Sequence, residues 1–317
     1  MEIDENVEKD FKKAAQLILL RDIMISPVRK IAENEKFFLI ERKFREHDIK
    51  HLPVVDSKDH LVGVITMADL HRTVSPRKDL STGNFFYDPA QFEMFQLKDH
   101  MTRNPFSLSP LNNFVDALMA MAKGGYGCIP ILDEDKTVLG IITQSDLIKR
   151  VTKMLENLST EVALDKKNGS NSVGRLVHQT PLKLVMSYPP IVMREDDEFA
   201  LVEQTLRQSR IKHLPIVNMF GKLAGIITLS DLYRITAPKK REENGETYYE
   251  KEHLNKFILK YSMTKHPSTL TPDHSIFNAM EKMVYGNFGC VIVTDLNQMI
   301  TGIVTQTDIV KIISKLL

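Results

Sequence analysis

Residues 49–70 read IKHLPVVDSKDHLVGVITMADL, and residues 211–232 read IKHLPIVNMFGKLAGIITLSDL, identical at 12 of 22 positions. The second half of this stretch, apolar-Gly-apolar-apolar-Thr-x-x-Asp, returns as VLGIITQSDL at 138–147 and ITGIVTQTDI at 300–309. The four glycines, Gly63, Gly140, Gly225 and Gly302, are separated by 77, 85 and 77 residues. A shift of 162 residues therefore lays the first repeat on the third and the second on the fourth without a gap. Residues 125–147 agree with 287–309 at 8 of 23 positions, including Gly127/Gly289 and Cys128/Cys290. Self-similarity at fixed spacing marks a repeat architecture, here a pair that was itself duplicated.

Working outward, each repeat spells the same elements. A short strand is expected after Met24, Met101, Met186 or Met263, then a helix with apolar residues at i, i+3 and i+7. Those residues are Phe37, Ile40 and Phe44; Phe114, Ala117 and Met121; Phe199, Val202 and Leu206; and Ile276, Ala279 and Met283. Asn34, Asp196 and Asp273 are expected to cap three of these helices. An apolar strand such as LPVV (52–55), a charged or Gly-containing turn, a β-branched strand such as GVIT (63–66) and a second helix complete the unit. The pattern is β-α-β-β-α four times, an α+β fold class. One unit has too little sheet to bury both faces, so the repeats are expected to form two pseudo-symmetric pairs. The first pair spans 1–164, with repeats at about 21–74 and 97–152 and an N-terminal helix carrying Val7, Phe11, Ala14 and Ile18 on one face. A polar linker, DKKNGSNSVGR (165–175), leads to the second pair at 176–317, with repeats at about 182–236 and 259–317.

Composition narrows the function classes. Of 317 residues, 26% are charged and 43% apolar, the balance of a globular chain rather than a disordered one. A net charge of +1 gives no global pull toward nucleic acid or anionic membrane, so any anion site must be local. The apolar run AAQLILL (14–20) is too short to span a bilayer and follows acidic residues, which disfavours a signal peptide; a cytoplasmic protein is expected. Cys128 and Cys290 have no Cys or His nearby at metal spacing, so neither a disulfide framework nor a metal site is expected.

The apolar-Pro-apolar strand, the glycine ten residues later and the Thr-x-x-Asp that follows resemble the cystathionine-β-synthase (CBS) domain family, over about residues 20–315. The resemblance implies that consecutive repeats form a disc-like Bateman module whose clefts bind AMP, ADP, ATP, S-adenosylmethionine or related adenosyl compounds. It implies that the Asp holds both ribose hydroxyls and that the Thr faces the phosphates, giving Thr66 and Asp69, Thr143 and Asp146, Thr228 and Asp231, and Thr305 and Asp308. A carboxylate that accepts from a cis-diol, at a helix start that favours anions, is sound chemistry. The same Thr-x-x-Asp is also close to a helix capping box, and the two roles can coexist. Adenine recognition by main-chain groups of the first strand points to Pro105, Pro190 and Pro267, with Val28 in place of proline in the first repeat.

Odd and even repeats differ before the second strand. The odd ones carry Lys50-His51 and Lys212-His213, where family members that bind phosphorylated nucleotides often have basic residues; the even ones read Gly125-Tyr126-Gly127-Cys128 and Asn287-Phe288-Gly289-Cys290. Tyr126 and Phe288 read as packing residues rather than adenine stackers. The fourth repeat departs at Ile292, where the others have Pro53, Pro130 and Pro215. Four repeats with no other domain share the layout of the γ subunit of the AMP-activated protein kinase. The expected function is therefore a regulatory energy or metabolite sensor without a cofactor. Its expected partners are an adenosine-containing small molecule, a regulated protein and a second copy in a homodimer, with no membrane. A nucleic-acid-binding or scaffolding protein is the alternative, although the basic runs Arg77-Lys78 and Lys239-Lys240-Arg241 lack an aromatic-basic platform. An enzyme is disfavoured, since no P-loop, nucleophile elbow or metal cluster is present and the repeats consume the chain. The connectors 71–97 and 233–259 match across the shift at Arg72/Arg234, Tyr87/Tyr249 and Leu97/Leu259, and each is expected to contain a helix.

Overall fold

The computed structural model describes residues 5–47, 49–73, 77–86, 88, 90–162, 172–209, 211–236, 239–240, 247–248 and 258–317. Contacts divide the chain into two compact units. Met1–Val28, Phe106–Pro190 and Pro267–Leu317 form the even unit, which holds the hairpins of the second and fourth repeats; Arg29–Pro105 and Ile191–His266 form the odd unit. Division by contact thus gathers alternate repeats, whereas division by sequence gathers consecutive ones.

In the odd unit the first repeat supplies β1 (Ile31–Ala32), α2 (Phe37–His47), β2 (His51–Val55), β3 (Leu61–Thr66) and α3 (Met67–Thr73), numbered after the N-terminal helix α1 (Glu5–Gln16). A connector follows with an antiparallel pair, β4 (Arg77–Lys78) and β5 (Phe85–Phe86), the short helix α4 (Ala90–Glu93) and then β6 (Thr102–Arg103). The even unit takes α5 (Phe114–Gly124), β7 (Cys128–Leu132), β8 (Val138–Thr143) and α6 (Gln144–Val162) from the second repeat, followed by α7 (Ser172–Gln179). The third repeat returns to the odd unit with β9 (Met193–Arg194), α8 (Phe199–Gln208), β10 (His213–Val217), β11 (Leu223–Thr228) and α9 (Leu229–Thr236). Its connector contains the pair β12 (Lys239–Lys240) and β13 (Thr247–Tyr248), then α10 (Leu259–Ser262) and β14 (Thr264–Lys265). The fourth repeat completes the even unit with β15 (Thr269–Leu270), α11 (Ile276–Tyr285), β16 (Cys290–Thr294), β17 (Ile300–Thr305) and α12 (Gln306–Leu316).

All four hairpins share one register. His51, Cys128, His213 and Cys290 pair with Thr66, Thr143, Thr228 and Thr305, and every hairpin shifts register at its fourth-to-fifth residue. The turns are closed by Asp56, Asp133, Asn218 and Asp295, whose side-chain oxygens accept main-chain N–H groups two or four residues on. Ile292 replaces a proline without disturbing this register, pairing with Ile303 as Pro53 pairs with Val64.

The strand expected after each methionine forms after Met101 and Met263, and as a single bridge after Met24 and Met186, but in the sheet of the neighbouring repeat. β6 lies beside β3 and β14 beside β11, while Ile25 bridges to Ile141 and Ser187 to Ile303. This exchange ties the first repeat to the second and the third to the fourth. It explains the four glycines, because a Cβ at Gly63, Gly140, Gly225 or Gly302 would overlap the sulfur of Met101, Met24, Met263 or Met186. Backbone and thioether can approach this closely only where there is no side chain.

Phe37, Ile40, Phe44, Phe114, Ala117, Met121, Val202, Leu206, Ile276, Ala279 and Met283 are all buried. Among the described side chains of α1, Phe11 and Ala15 are buried, with Ile18 beyond its end, so Ala15 takes the place expected of Ala14; the Val7 side chain lies outside the description. The expected caps require correction. The helices start at Phe37, Phe199 and Ile276, so Asn34, Asp196 and Asp273 lie in the preceding turns, and Ser275 caps α11. In the second repeat, Asn113 caps α5 in a reciprocal box with Asp116. The last four residues of the expected linker are the start of α7, whose Val173 and Val177 are buried; 165–171 lie outside the described residues. So do Tyr87, Tyr249 and Phe257 of the connectors.

Candidate functional site

Each second hairpin strand runs directly into a helix, and the turn between them is fixed by the Thr-Asp pair. In all four repeats the Thr main-chain N–H and hydroxyl both donate to one carboxylate oxygen, at 2.8 and 2.7 Å in Thr66–Asp69, Thr143–Asp146 and Thr305–Asp308, and 2.9 and 2.6 Å in Thr228–Asp231. In three of them the Asp N–H donates back to the Thr hydroxyl at 3.2–3.4 Å. Those three are reciprocal capping boxes, and in all four repeats the bonds from Thr fix the carboxylate at the surface, partly buried. One oxygen of each carboxylate is spent on the cap. The other oxygen of Asp69 accepts from Arg72. Burial raises the Asp146 pKa against the opposing effect of its Thr143 hydrogen bonds.

In the odd unit the strand register sets His51 beside Thr66 and His213 beside Thr228. Helices α3 and α9 pack together, and this brings the two basic pairs into one cluster. His51 is pushed down to about 3 by burial and then by the Lys212 and Lys50 ammoniums, and His213 to about 4 by burial, Lys50 and Lys212. Each imidazole therefore feels the lysine of the other repeat. Both lysines are exposed, while both imidazoles are partly covered and uncharged at neutral pH.

The even unit builds the same place from neutral groups. The register sets Cys128 beside Thr143 and Cys290 beside Thr305, and α6 packs on α12. Ser145 and Gln306 exchange hydrogen bonds at 2.9 and 3.1 Å, and the Thr307 hydroxyl donates to Gln144 Oε1 at 3.2 Å. The amides of Gln144 and Gln306 donate in turn to the carbonyls of Tyr126 and Phe288, at 3.1 and 3.3 Å. Sequence reasoning passed over this network. Its signal was the two residues inside Thr-x-x-Asp, Gln-Ser and Gln-Thr in the even repeats against Met67-Ala68 and Leu229-Ser230 in the odd ones.

The CBS-domain family model matches residues 20–75, 97–153, 182–237 and 258–315. The chain belongs to the CBS-domain family. Among its relatives is the uncharacterized protein MJ1225 of Methanocaldococcus jannaschii, 24% identical over 235 residues, 74% of this chain and 75% of that one. The crystal structure of MJ1225, proposed as an archaeal homologue of g-AMPK, superposes with a TM-score of 0.72 at 18% identity, covering 93% of this chain and 100% of that chain. A conserved protein from Pyrococcus horikoshii covers 95% of this chain and 100% of that chain, with a TM-score of 0.57 at 16% identity. These structures share the fold.

Within the CBS repeats, Val28, Pro105, Pro190 and Pro267, the residues expected beside an adenine, stand at the four places where the chain passes from one unit to the other. Among the described residues no His, Cys, Asp and Glu side chains group as a metal site, and no helix is long and apolar enough to cross a membrane. The basic run expected of a nucleic-acid binder is partly neutralised, with Arg77 3.3 Å from Asp88.

Proposed function

We propose that this CBS protein is a non-catalytic sensor that binds adenosine-containing nucleotides and reports their level to a protein partner. The observation that carries the reading is the fourfold Thr-Asp helix start, with Lys50, His51, Lys212 and His213 beside two of its copies. The carboxylates of Asp69, Asp146, Asp231 and Asp308 accept ribose hydroxyls, and the helix starts together with the odd-unit cations attract phosphate. Neutral imidazoles there donate hydrogen bonds and leave the charge to the lysines. AMP, ADP, ATP and S-adenosylmethionine-like compounds all carry the required diol; those with phosphate gain from the odd unit. Main-chain groups near Val28, Pro105, Pro190 and Pro267 recognise the adenine.

Calorimetric titration with AMP tests this on Asp69→Ala, Asp146→Ala, Asp231→Ala and Asp308→Ala. At least one variant in each consecutive pair should lose about 10- to 100-fold in affinity, as for a lost charged hydrogen bond. If all four bind as the parent does, the aspartates are caps alone and the reading fails.

A further inference from the structure

The duplication that produced the even unit allows a residue-by-residue comparison of its two halves. In the second repeat the ring of Tyr126 lies against Gly124, where a Cβ would overlap it, and the ring of Phe106 stacks on it with centroids 5.4 Å apart and planes 5° apart. In the fourth repeat the ring of Phe288 lies against Gly286 in the same way. The position equivalent to Phe106, 162 residues on, is Ser268. Where the second repeat has a stacked phenyl ring, the fourth has a cavity of about 520 Å³ whose lining includes Ser268, Leu270, Asn278, Lys282 and Phe288. That volume falls in the range of small-molecule pockets, roughly 300–1,000 Å³.

A second departure confined to the fourth repeat shapes the same wall. Ile292 replaces the proline of the other repeats, and its N–H donates to the Ser268 carbonyl at 3.3 Å. Pro130, at the equivalent position, has no N–H to give. The serine that leaves the space open is thus pinned at the rim by the isoleucine that departs from the repeat pattern.

We infer that the fourth-repeat cavity takes a planar heteroaromatic ring, the base of the nucleotide, stacked on Phe288 in the place that Phe106 occupies against Tyr126. The inference rests on the proposed nucleotide-binding function and adds where a base is accepted and where it is refused. The second repeat is self-filled: its own phenylalanine is the occupant. The fourth repeat is open, and the serine-for-phenylalanine exchange decides between the two. Phe288, read from the sequence as a packing residue, becomes the platform.

Calorimetric titration of the full chain with adenosine tests this, since adenosine lacks the phosphates read elsewhere. Ser268→Phe, which restores a ring already accommodated in the second repeat, should weaken adenosine binding by about tenfold or more. Phe288→Leu should do the same by removing the platform, and Phe106→Ser should add a second adenosine site. Melting curves identify any variant that does not fold. Adenosine binding unchanged in both Ser268→Phe and Phe288→Leu overturns the inference, as does a parent that binds AMP but no adenosine. In either of those cases the nucleotide reading survives if AMP binding still falls in the aspartate variants. A parent that binds neither compound overturns both.

Discussion

The odd and even units place a Thr-Asp helix start at the end of an identical hairpin, and then surround it in opposite ways. The odd unit sets two lysines and two histidines around the packed starts of α3 and α9. The even unit ties the starts of α6 and α12 together with amides and hydroxyls that satisfy one another. A cluster of cations favours an anion, whereas a network of neutral donors and acceptors that satisfy one another gains rigidity. On the proposed function, the same scaffold, copied, reads charge in the odd unit and holds its helix starts with neutral groups in the even unit.

The largest expected effect is on the scaffold that both units share. A Cβ at Gly225 would meet the carbonyl of Thr264 at 2.8 Å, and one at Gly140 the carbonyl of Ile25 at 3.0 Å, besides the methionine sulfur in each case. Gly225→Ala and Gly140→Ala should each destabilise by about 1–3 kcal/mol in urea unfolding, because a backbone oxygen cannot swing aside. Gly63→Ala, whose three nearest contacts are all atoms of the flexible Met101 side chain, should cost less. Equal costs at all three sites would show that the exchanged strands are not held as described.

Gln144→Ala probes the even unit alone. The side chain is buried and joins Thr307 to the Tyr126 carbonyl. Its loss should destabilise by about 1–2 kcal/mol, as for a buried hydrogen-bonded group. The equivalent Met67→Ala in the odd unit removes packing without breaking a polar link, so it should leave the position of Ala68 unchanged in a structure of the variant, whereas Gln144→Ala should free Thr307 and the Tyr126 carbonyl while Ser145 stays paired with Gln306. Unfolding curves paired with such structures separate the two cases.

The pH dependence probes the odd unit. An imidazole held at about 3 or 4 in the folded chain titrates near 6.5 when unfolded. Between about pH 6.5 and 4 the unfolded state therefore binds more protons, and stability falls as acid is added; above about pH 7 the term vanishes. From pH 7 to pH 5 the parent should lose about 1 kcal/mol more than His51→Gln/His213→Gln, allowing for screening at partly exposed sites. His100 and His178, also lowered by burial, are common to both proteins and cancel. An identical pH dependence in the two proteins would show that the cluster is looser than described.

Much of this was legible in the sequence because it is local. The hairpins, the apolar helix faces and the Thr-Asp turns each depend on residues a few positions apart, and the repeats state them four times. What escaped depends on longer range. Met24 and Gly140 touch across 116 residues, and nothing local says that a strand will serve its neighbour's sheet rather than its own. Asn34, Asp196 and Asp273 are good capping residues, but in the first and third repeats a turn follows the short strand, with Glu35 N–H donating to the Ala32 carbonyl and Asp197 N–H to that of Arg194, so the helix begins later, and Ser275 caps in the fourth. The even-unit network and the open cavity at Ser268 were visible only as differences between copies, at positions where the repeat consensus draws no attention.

The claim that the odd unit reads charge is tested most directly by titrating ADP and adenosine, side by side, into the parent and Lys50→Met/Lys212→Met. Two charge-assisted hydrogen bonds at roughly 1.5–3 kcal/mol each predict that the double variant loses about 100-fold or more for ADP. Adenosine should bind it as it binds the parent. Equal loss for both ligands, or no loss for ADP, would contradict the account and remove the phosphate-reading role of Lys50 and Lys212.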